Sequence, residues 1–358
     1  MLAFLSAALL FVISQQAQDK NAPRIPPPVQ ESVTVTRVVI TGRAIDNLAR
    51  PIPDLTAADF RLWVDRKEAP IESVSWIPGS VGSLQRGVLT RPAEKPPTEG
   101  TRETLTRTED RAEASHARRI VMLFQWEISG QKDPGFMRMM GQAKRMVETS
   151  QPDDLIAVFG FGSSLRLQQD FTTDHPALRE SIQNIRSTRF RGQPANDARN
   201  SLEAAVANCG PKYSIRKAMI CIGRSLQTLP GPKSVVFFGW SLGRPKRDSW
   251  FIEYPAMIDA ITKANTSVFV LDVSNGYHWL DSALRELAYD TGGLYNGGCE
   301  YEMSYCAELA TLKAKRAIEG GSYEIVFRDP ATTKGWHEVR IELINHTGIP
   351  IFSRWYQN

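Results

Sequence analysis

Cysteine, surplus charge and long apolar runs are all scarce in this chain, and each scarcity removes a class of function. Only 4 cysteines occur among 358 residues, in two close pairs, Cys209 with Cys221 and Cys299 with Cys306. Neither pair has the C-x-x-C spacing of a structural zinc site. Two local disulfides are the simplest of the three pairings that four cysteines allow. Four buried thiols fit the same spacing, because sequence does not show geometry. The formal net charge is only +4, since 43 basic residues are nearly balanced by 39 acidic ones. That leaves no electrostatic footprint for a nucleic-acid partner. Past the first residues, no apolar segment reaches the ~20 residues that a membrane-spanning helix needs.

The apolar run from Met1 to Ser14 is itself short of a span and is followed by the polar residues 15–20. It fits a secretory h-region with cleavage after Ala17, so residues 1–17 read as a signal peptide and the mature chain as exported. The positively charged n-region is missing, which leaves a membrane anchor or a misassigned start open. At 42% apolar and 23% charged residues, the rest has the make-up of a globular protein long enough for about two domains.

Along the chain, residues 18–31 form a Pro-rich leader. Residues 32–77 alternate apolar and polar positions in short runs: strands at 33–40, 59–64 and 71–76, with a turn at 45–51. Residues 78–117 lack periodicity and are rich in Pro, Gly, Thr, Arg and Glu, as a linker or long surface loop would be. From 118 to 319, strands at 119–126, 155–161, 234–239, 267–273 and 293–296 alternate with helical patterns at 137–149, 176–185, 197–207, 252–263, 280–289 and 302–318. Such alternation predicts an α/β fold, a doubly wound, mainly parallel sheet covered on both faces. Residues 320–358 return to strands, at 322–327, 336–343 and 349–355. They are expected to pack with 32–77 as a β-rich domain made from both chain ends.

The run Ile120 to Phe124 carries most of the functional information. It reads as a buried strand and runs into Glu127, Ser129, Gly130 and Gln131. The C-terminal ends of strands in open α/β sheets are where ligands bind, and a carboxylate two residues from a hydroxyl offers the hard oxygens that Mg²⁺ or Ca²⁺ prefers.

The whole layout resembles the von Willebrand factor A-related proteins of the Acidobacteria type. The resemblance rests on Val38 to Asp46, Pro53 to Phe60, Asp65-Arg66-Lys67, Ile71-Glu72-Ser73, Phe171 to Asp174, Asp290 to Gly293, Ser322 to Phe327 and Trp336 to Ile341. No one of these is specific; their order over most of the chain is. The resemblance implies a von Willebrand factor A/Rossmann-like domain with a metal-ion-dependent adhesion site. That site draws D-x-S-x-S from one loop, Thr from a second and Asp from a third. Here the corresponding positions hold Glu127, Ser129 and Gln131, then Gln193, then Trp240 or its neighbour Ser241. Only Ser129 is retained. Glu is one methylene longer than Asp, glutamine amides are neutral, and Trp offers no oxygen, whereas Mg²⁺ demands near-ideal octahedral geometry. The resemblance therefore implies a degenerate site. Glu127 and Ser129 are the remaining metal ligands if Mg²⁺ or another divalent cation still binds, and cap the following helix otherwise.

An enzyme reading competes. Gly239-Trp240-Ser241-Leu242-Gly243 matches G-x-S-x-G directly after an apolar strand, with Asp272 and then His278, His337 or His346 following in the order of a serine hydrolase. Against it, Arg244-Pro245 follows where a helix must start, and no His-Gly-Gly-type loop lies upstream. Without that chemistry, Ser241 is expected exposed on a Gly-flanked turn. Among weaker features, Arg186, Arg189 and Arg191 read as a solvated loop. Met137, Met139, Met140 and Met146 read as the sheet-facing side of a helix. Trp240, Trp250 and Trp279 gather toward the sheet's C-terminal edge, where exposed Trp would suit partner recognition. The sequence thus reads as an exported, non-enzymatic adhesion or scaffold module. It would bind an unidentified protein through Glu127, Ser129, Gln131, Gln193, Trp240 and Ser241, with no cofactor required.

Overall fold

In the computed structural model, residues 36–79, 117–126, 133–210, 213–243, 247–274, 280–296 and 303–358 are described. The apolar runs form the strands of a central sheet: β5 (Arg119–Gln125), β6 (Leu155–Phe161), β7 (Leu165–Thr172), β8 (Lys233–Gly239), β9 (Thr266–Asp272) and β10 (Tyr295–Asn296). Their spatial order is β10-β9-β8-β5-β6-β7. Every pairing is parallel except that of β6 with β7. Read from the β7 edge in order of appearance, this is the 3-2-1-4-5-6 sequence of a doubly wound sheet. All residues of β5, β8 and β9 are buried, as expected of strands covered on both faces.

One face packs against α1 (Asp133–Glu148), α2 (His175–Gln183) and α7 (Met303–Glu319) through Met122, Phe124, Phe136, Met146, Leu178 and Ala314. The other packs against α4 (Ile215–Leu226), α5 (Arg247–Lys263) and α6 (Asp281–Asp290) through Leu123, Phe237, Met219, Ile222, Met257 and Leu284. The chain leaves β5 toward one face and β8 toward the other, so the crevice of the sheet opens between their C-terminal ends. Asp174 caps α2 by accepting from Ala177 N, and Ser214 caps α4 by accepting from Lys217 N, each at 3.1 Å.

Both ends of the described chain build two four-stranded sheets. β1 (Arg37–Ile45), β4 (Ile71–Ile77), β11 (Ser322–Arg328) and β13 (Ile349–Phe352) form one, in the order β13-β1-β11-β4. β2 (Phe60–Val64), β3 (Lys67–Glu68), β12 (Trp336–Leu343) and β14 (Trp355–Gln357) form the other, in the order β14-β12-β2-β3. Phe60, Leu62, Tyr323, Phe327, Phe352 and Tyr356 fill the space they share. Tyr323 is fully enclosed, and its hydroxyl donates to Ile52 O (2.7 Å) and accepts from Leu55 N (3.0 Å). Gly42 is required: a Cβ there would sit 2.1 Å from the Phe352 ring.

Several elements depart from the sequence expectations. The helix expected at 197–207 is a 3₁₀ turn (Ala198–Asn200) followed by α3 (Glu203–Ala207). It breaks because the Asp170 carboxylate takes the N–H of Leu202 and the hydroxyl of Ser201. The strand expected at 349–355 splits at Ser353 and Arg354, and Ser353 bridges to Thr291 instead. Strand β7 and helix α4 had no counterpart in the sequence reading. Met139, Met140 and Met146 do face the sheet, but Met137 is exposed. Cys209 and Cys221 form a disulfide with Cα atoms 5.5 Å apart. Cys306 is disulfide-bonded too, its partner lying outside the described residues.

Candidate functional site

At the end of β5 the chain places Gln125 and Trp126; at the end of β8, Gly239, Trp240 and Ser241; at the end of β9, Asp272. Gln125 is buried, and its Oε1 accepts from both Trp240 N (3.1 Å) and Ser241 N (3.3 Å). One side-chain amide therefore ties the two strands together where the winding reverses, and satisfies two backbone donors that have no strand partner. Trp126 packs against Gly162, where a Cβ would meet its indole at 2.5 Å. The Arg166 guanidinium covers the ring at 4.7 Å. Trp240 is half-buried against the α1 face of the core.

Ser241 departs from the expectation of an exposed turn: it is 1% exposed. Its Oγ accepts from Gly243 N at 2.8 Å, closing a turn in which Gly243 has φ +86°. The next residue, Leu242, is buried, and its carbonyl accepts from Arg216 at 2.6 Å. The hydrolase constellation is not assembled among the described residues. Asp272 accepts from Ser274 N–H and O–H and from the Tyr295 hydroxyl. His337 bonds Asp65, and His346 bonds Asp59. His278 lies outside the described residues.

The six residues named from sequence divide in the same way. Glu127, Ser129 and Gln131 lie outside the described residues. Trp240 and Ser241 come together on the Gln125 amide. Gln193 is elsewhere: its N–H donates to Gln169 Oε1 (3.0 Å) and its carbonyl accepts from Gln169 Nε2 (2.8 Å) on the edge strand β7. At ~4.8 Å per strand, β7 is roughly 14 Å across the sheet from β8.

Among the described residues that end these strands, Asp272 supplies a carboxylate, already bonded to Ser274 and Tyr295. The Gln125 oxygen is engaged by two N–H groups, the Ser241 hydroxyl is enclosed, and Trp240 has no oxygen to give. No group of three His, Cys, Asp or Glu side chains is placed to hold a metal among the described residues.

Sequence reasoning missed three exposed apolar side chains at the helix starts beside the crevice. Phe251 and Ile252, in the first two turns of α5, are 73% and 71% exposed, and Tyr213, just before α4, is 77% exposed. The two helix starts are tied by Glu253, which accepts from the Ser214 hydroxyl (3.3 Å) and from Arg216 Nε (2.9 Å). Arg216 also lies over the Trp250 ring, which stacks on Tyr254. The signal available was the run Trp250-Phe251-Ile252, which helical periodicity reads as core.

No protein-family model matches the chain, and no curated protein matches it. Among solved structures it is similar to a von Willebrand factor type A protein from Catenulispora acidiphila, at 12% identity and TM-score 0.38 over 67% of this chain and 65% of that one. It is similar to BatB from Bacteroides thetaiotaomicron, at 12% identity and TM-score 0.36 over 56% of this chain and 99% of that one. A third is proximal thread matrix protein 1 from the mussel byssus with a zinc-occupied MIDAS motif, at 14% identity and TM-score 0.36 over 61% and 48%. The chain spans just under two thirds of the Catenulispora structure's own length. The doubly wound topology given above stands on the chain's own strand order.

Proposed function

We propose that this chain is an exported von Willebrand factor A-like module of the adhesion or scaffold kind, binding a protein partner through the C-terminal edge of its central sheet without a metal ion. The observation that carries the reading is the exposed trio Tyr213, Phe251 and Ile252, held on two tied helix starts beside the crevice. Large apolar side chains exposed on a rigid base suit a partner-binding role. Trp240, Ser241 and Gln193 belong to the binding edge in this reading, as do Glu127, Ser129 and Gln131. The site is a degenerate relative of the metal-dependent one, since Gln125 and Ser241 spend their oxygens on backbone N–H groups. The Cys209–Cys221 disulfide supports export, because such bonds persist in oxidising compartments. The β-sheets built from both chain ends act in it as a second, discontinuous domain of the Acidobacteria-type family.

The test has two arms. Calorimetry with Mg²⁺, Mn²⁺ and Ca²⁺ on the full chain should give no binding heat; a stoichiometric heat overturns the metal-free reading. Proteins cross-linked to the full chain at the surface of its own cells should be lost from Phe251→Asp/Ile252→Asp, a variant expected to keep its melting temperature. Retention of the same cross-links by that variant overturns the site.

A further inference from the structure

At the opposite, N-terminal edge of the central sheet, a cavity of about 380 Å³ opens between β5, β8 and the sheet containing β1 and β11. Thr41, Arg43, Arg118, Arg119, Ser234 and Glu324 bring the polar groups of its lining. Arg118 is balanced, since it grips the Asp154 carboxylate with two N–H groups at 2.7 and 2.8 Å. The others are not. Arg43 is buried, donates only to the hydroxyls of Ser267 (3.0 Å) and Ser234 (3.4 Å), and has no partner for its Nε. Arg119, also buried, donates to the Asn200 amide oxygen and the Pro230 carbonyl. Lys233, buried at the start of β8 and not itself part of the lining, donates to the carbonyls of Leu229 and Gly231.

These three buried cations hydrogen-bond only neutral oxygens, although the Asp197 carboxylate acts on Arg119 through space. Burying a cation without a counter-charge is strongly unfavourable. Burial and the neighbouring Arg118 lower the Arg43 pKa to about 10, and burial and the neighbouring Arg119 lower that of Lys233 to about 8. The single acid of the lining, Glu324, is half-buried and cannot offset all three. Two of the three, Arg43 and Arg119, line the open cavity, and Arg43 has no carboxylate partner there among the described residues.

We propose that this cavity binds a tetrahedral oxyanion, phosphate or sulfate, free or as the ester of a small molecule. Guanidinium forks and hydroxyls are directional donors, which an anion with several oxygens can satisfy together and a halide cannot. The Arg43 guanidinium supplies donors, its Nε–H being enclosed but unpaired, and Glu324 limits affinity by its like charge. The site lies at the other end of the strands from the partner-binding edge and does not depend on it.

Calorimetric titration of the full chain at constant ionic strength, with inorganic phosphate, inorganic sulfate, glycerol 3-phosphate and acetate, tests this. Phosphate or sulfate should bind saturably and raise the melting temperature. Tighter binding of glycerol 3-phosphate assigns an ester as the ligand, and equal or weaker binding the free anion. Arg43→Gln should weaken phosphate binding at least tenfold, and Glu324→Gln should tighten it several-fold. The absence of saturable binding by either inorganic anion at tens of millimolar, binding of acetate alone, or unchanged affinity in Arg43→Gln overturns the proposal. Should Arg43→Gln fail to fold, Glu324→Gln decides, and unchanged or weakened phosphate binding in it overturns the proposal.

Discussion

Trp355, three residues from the C-terminal residue, donates its indole N–H to the carboxylate of Asp290 at the end of α6, 2.9 Å away. The other oxygen of Asp290 accepts from the Tyr254 hydroxyl at 2.8 Å. One buried acid therefore links two helices of the central sheet to β14 of a terminal sheet. Burial raises the Asp290 pKa, and the bonds from Trp355 and Tyr254 only partly oppose it.

Because that pKa is raised, the folded chain holds the Asp290 proton to higher pH than the unfolded chain. Stability from this group is complete below the ordinary carboxylate range near ~4 and declines as pH rises through the raised value. Asp290→Asn should remove that decline. In urea titrations between pH 4 and 8, the midpoint should fall less with pH in the variant than in the parent; identical slopes would exclude Asp290 as the group responsible. Trp355→Phe, which leaves the acid with the Tyr254 hydroxyl alone of these two donors, should cost about 1.5–3 kcal/mol.

The Gln125 amide predicts a cost that its conservative relatives avoid. Gln125→Leu fills the same space but leaves Trp240 N–H and Ser241 N–H without an acceptor, at about 1–3 kcal/mol each. Gln125→Glu keeps an acceptor and should lose less. Urea midpoints rank the three proteins; Leu equal to or above Glu would mean that the two N–H groups find other partners.

Legibility followed burial chemistry. Ile120 to Phe124, Val235 to Phe238 and Val268 to Leu271 could be read as parallel core strands because both of their faces are apolar. Strand β7 could not, since it buries Gln168, Gln169 and Asp170, whose partners come from residues 185–202 and create no local period. The crevice itself was legible from strand endings, and Trp240 and Ser241 do meet there. The role of Gln125 was not, because a polar residue near the end of an expected strand shows nothing of the backbone donors on another strand that it accepts from. The exposure of Phe251 and Ile252 was not legible, since hydrophobicity alone does not distinguish a core side chain from one offered to a partner. Arg43 and Arg119 are far apart in sequence, and only folding brings them to one cavity.

The Cys209–Cys221 disulfide closes a short loop between α3 and α4, with a sequence separation of 12. Loop-closure entropy for that length gives about 3 kcal/mol of stabilisation. Cys209→Ser/Cys221→Ser should lower the melting temperature accordingly, and a reducing agent should lower that of the parent more than that of the variant. Equal sensitivity of the two to reduction would assign the effect to the bond at Cys306.

His337 governs the pH response of the terminal sheets. Its Nδ1 faces Asp65 Oδ2 at 2.6 Å and its Nε2 faces the Thr333 carbonyl at 3.0 Å, so both ring nitrogens meet acceptors and the imidazolium satisfies both. Burial works against the charged ring, yet the bonds to Asp65 and Thr333 outweigh it and the pKa is raised. The Asp65 pKa is lowered by the same bond and by Glu338 N–H. A raised histidine stabilises fully below its unfolded pKa near ~6.5 and loses that contribution as pH rises through the folded value. A lowered carboxylate stabilises above ~3.9 and loses its contribution as pH falls through the folded value. The pair is therefore strongest between those limits. Since His337 pairs with Tyr356 across β12 and β14, raising the pH from 6 to 9 should speed amide hydrogen exchange at Tyr356 and Gln357 beyond the intrinsic base-catalysed increase. His337→Gln should remove the excess. An equal excess in the variant would mean that β14 is released by some other titrating group.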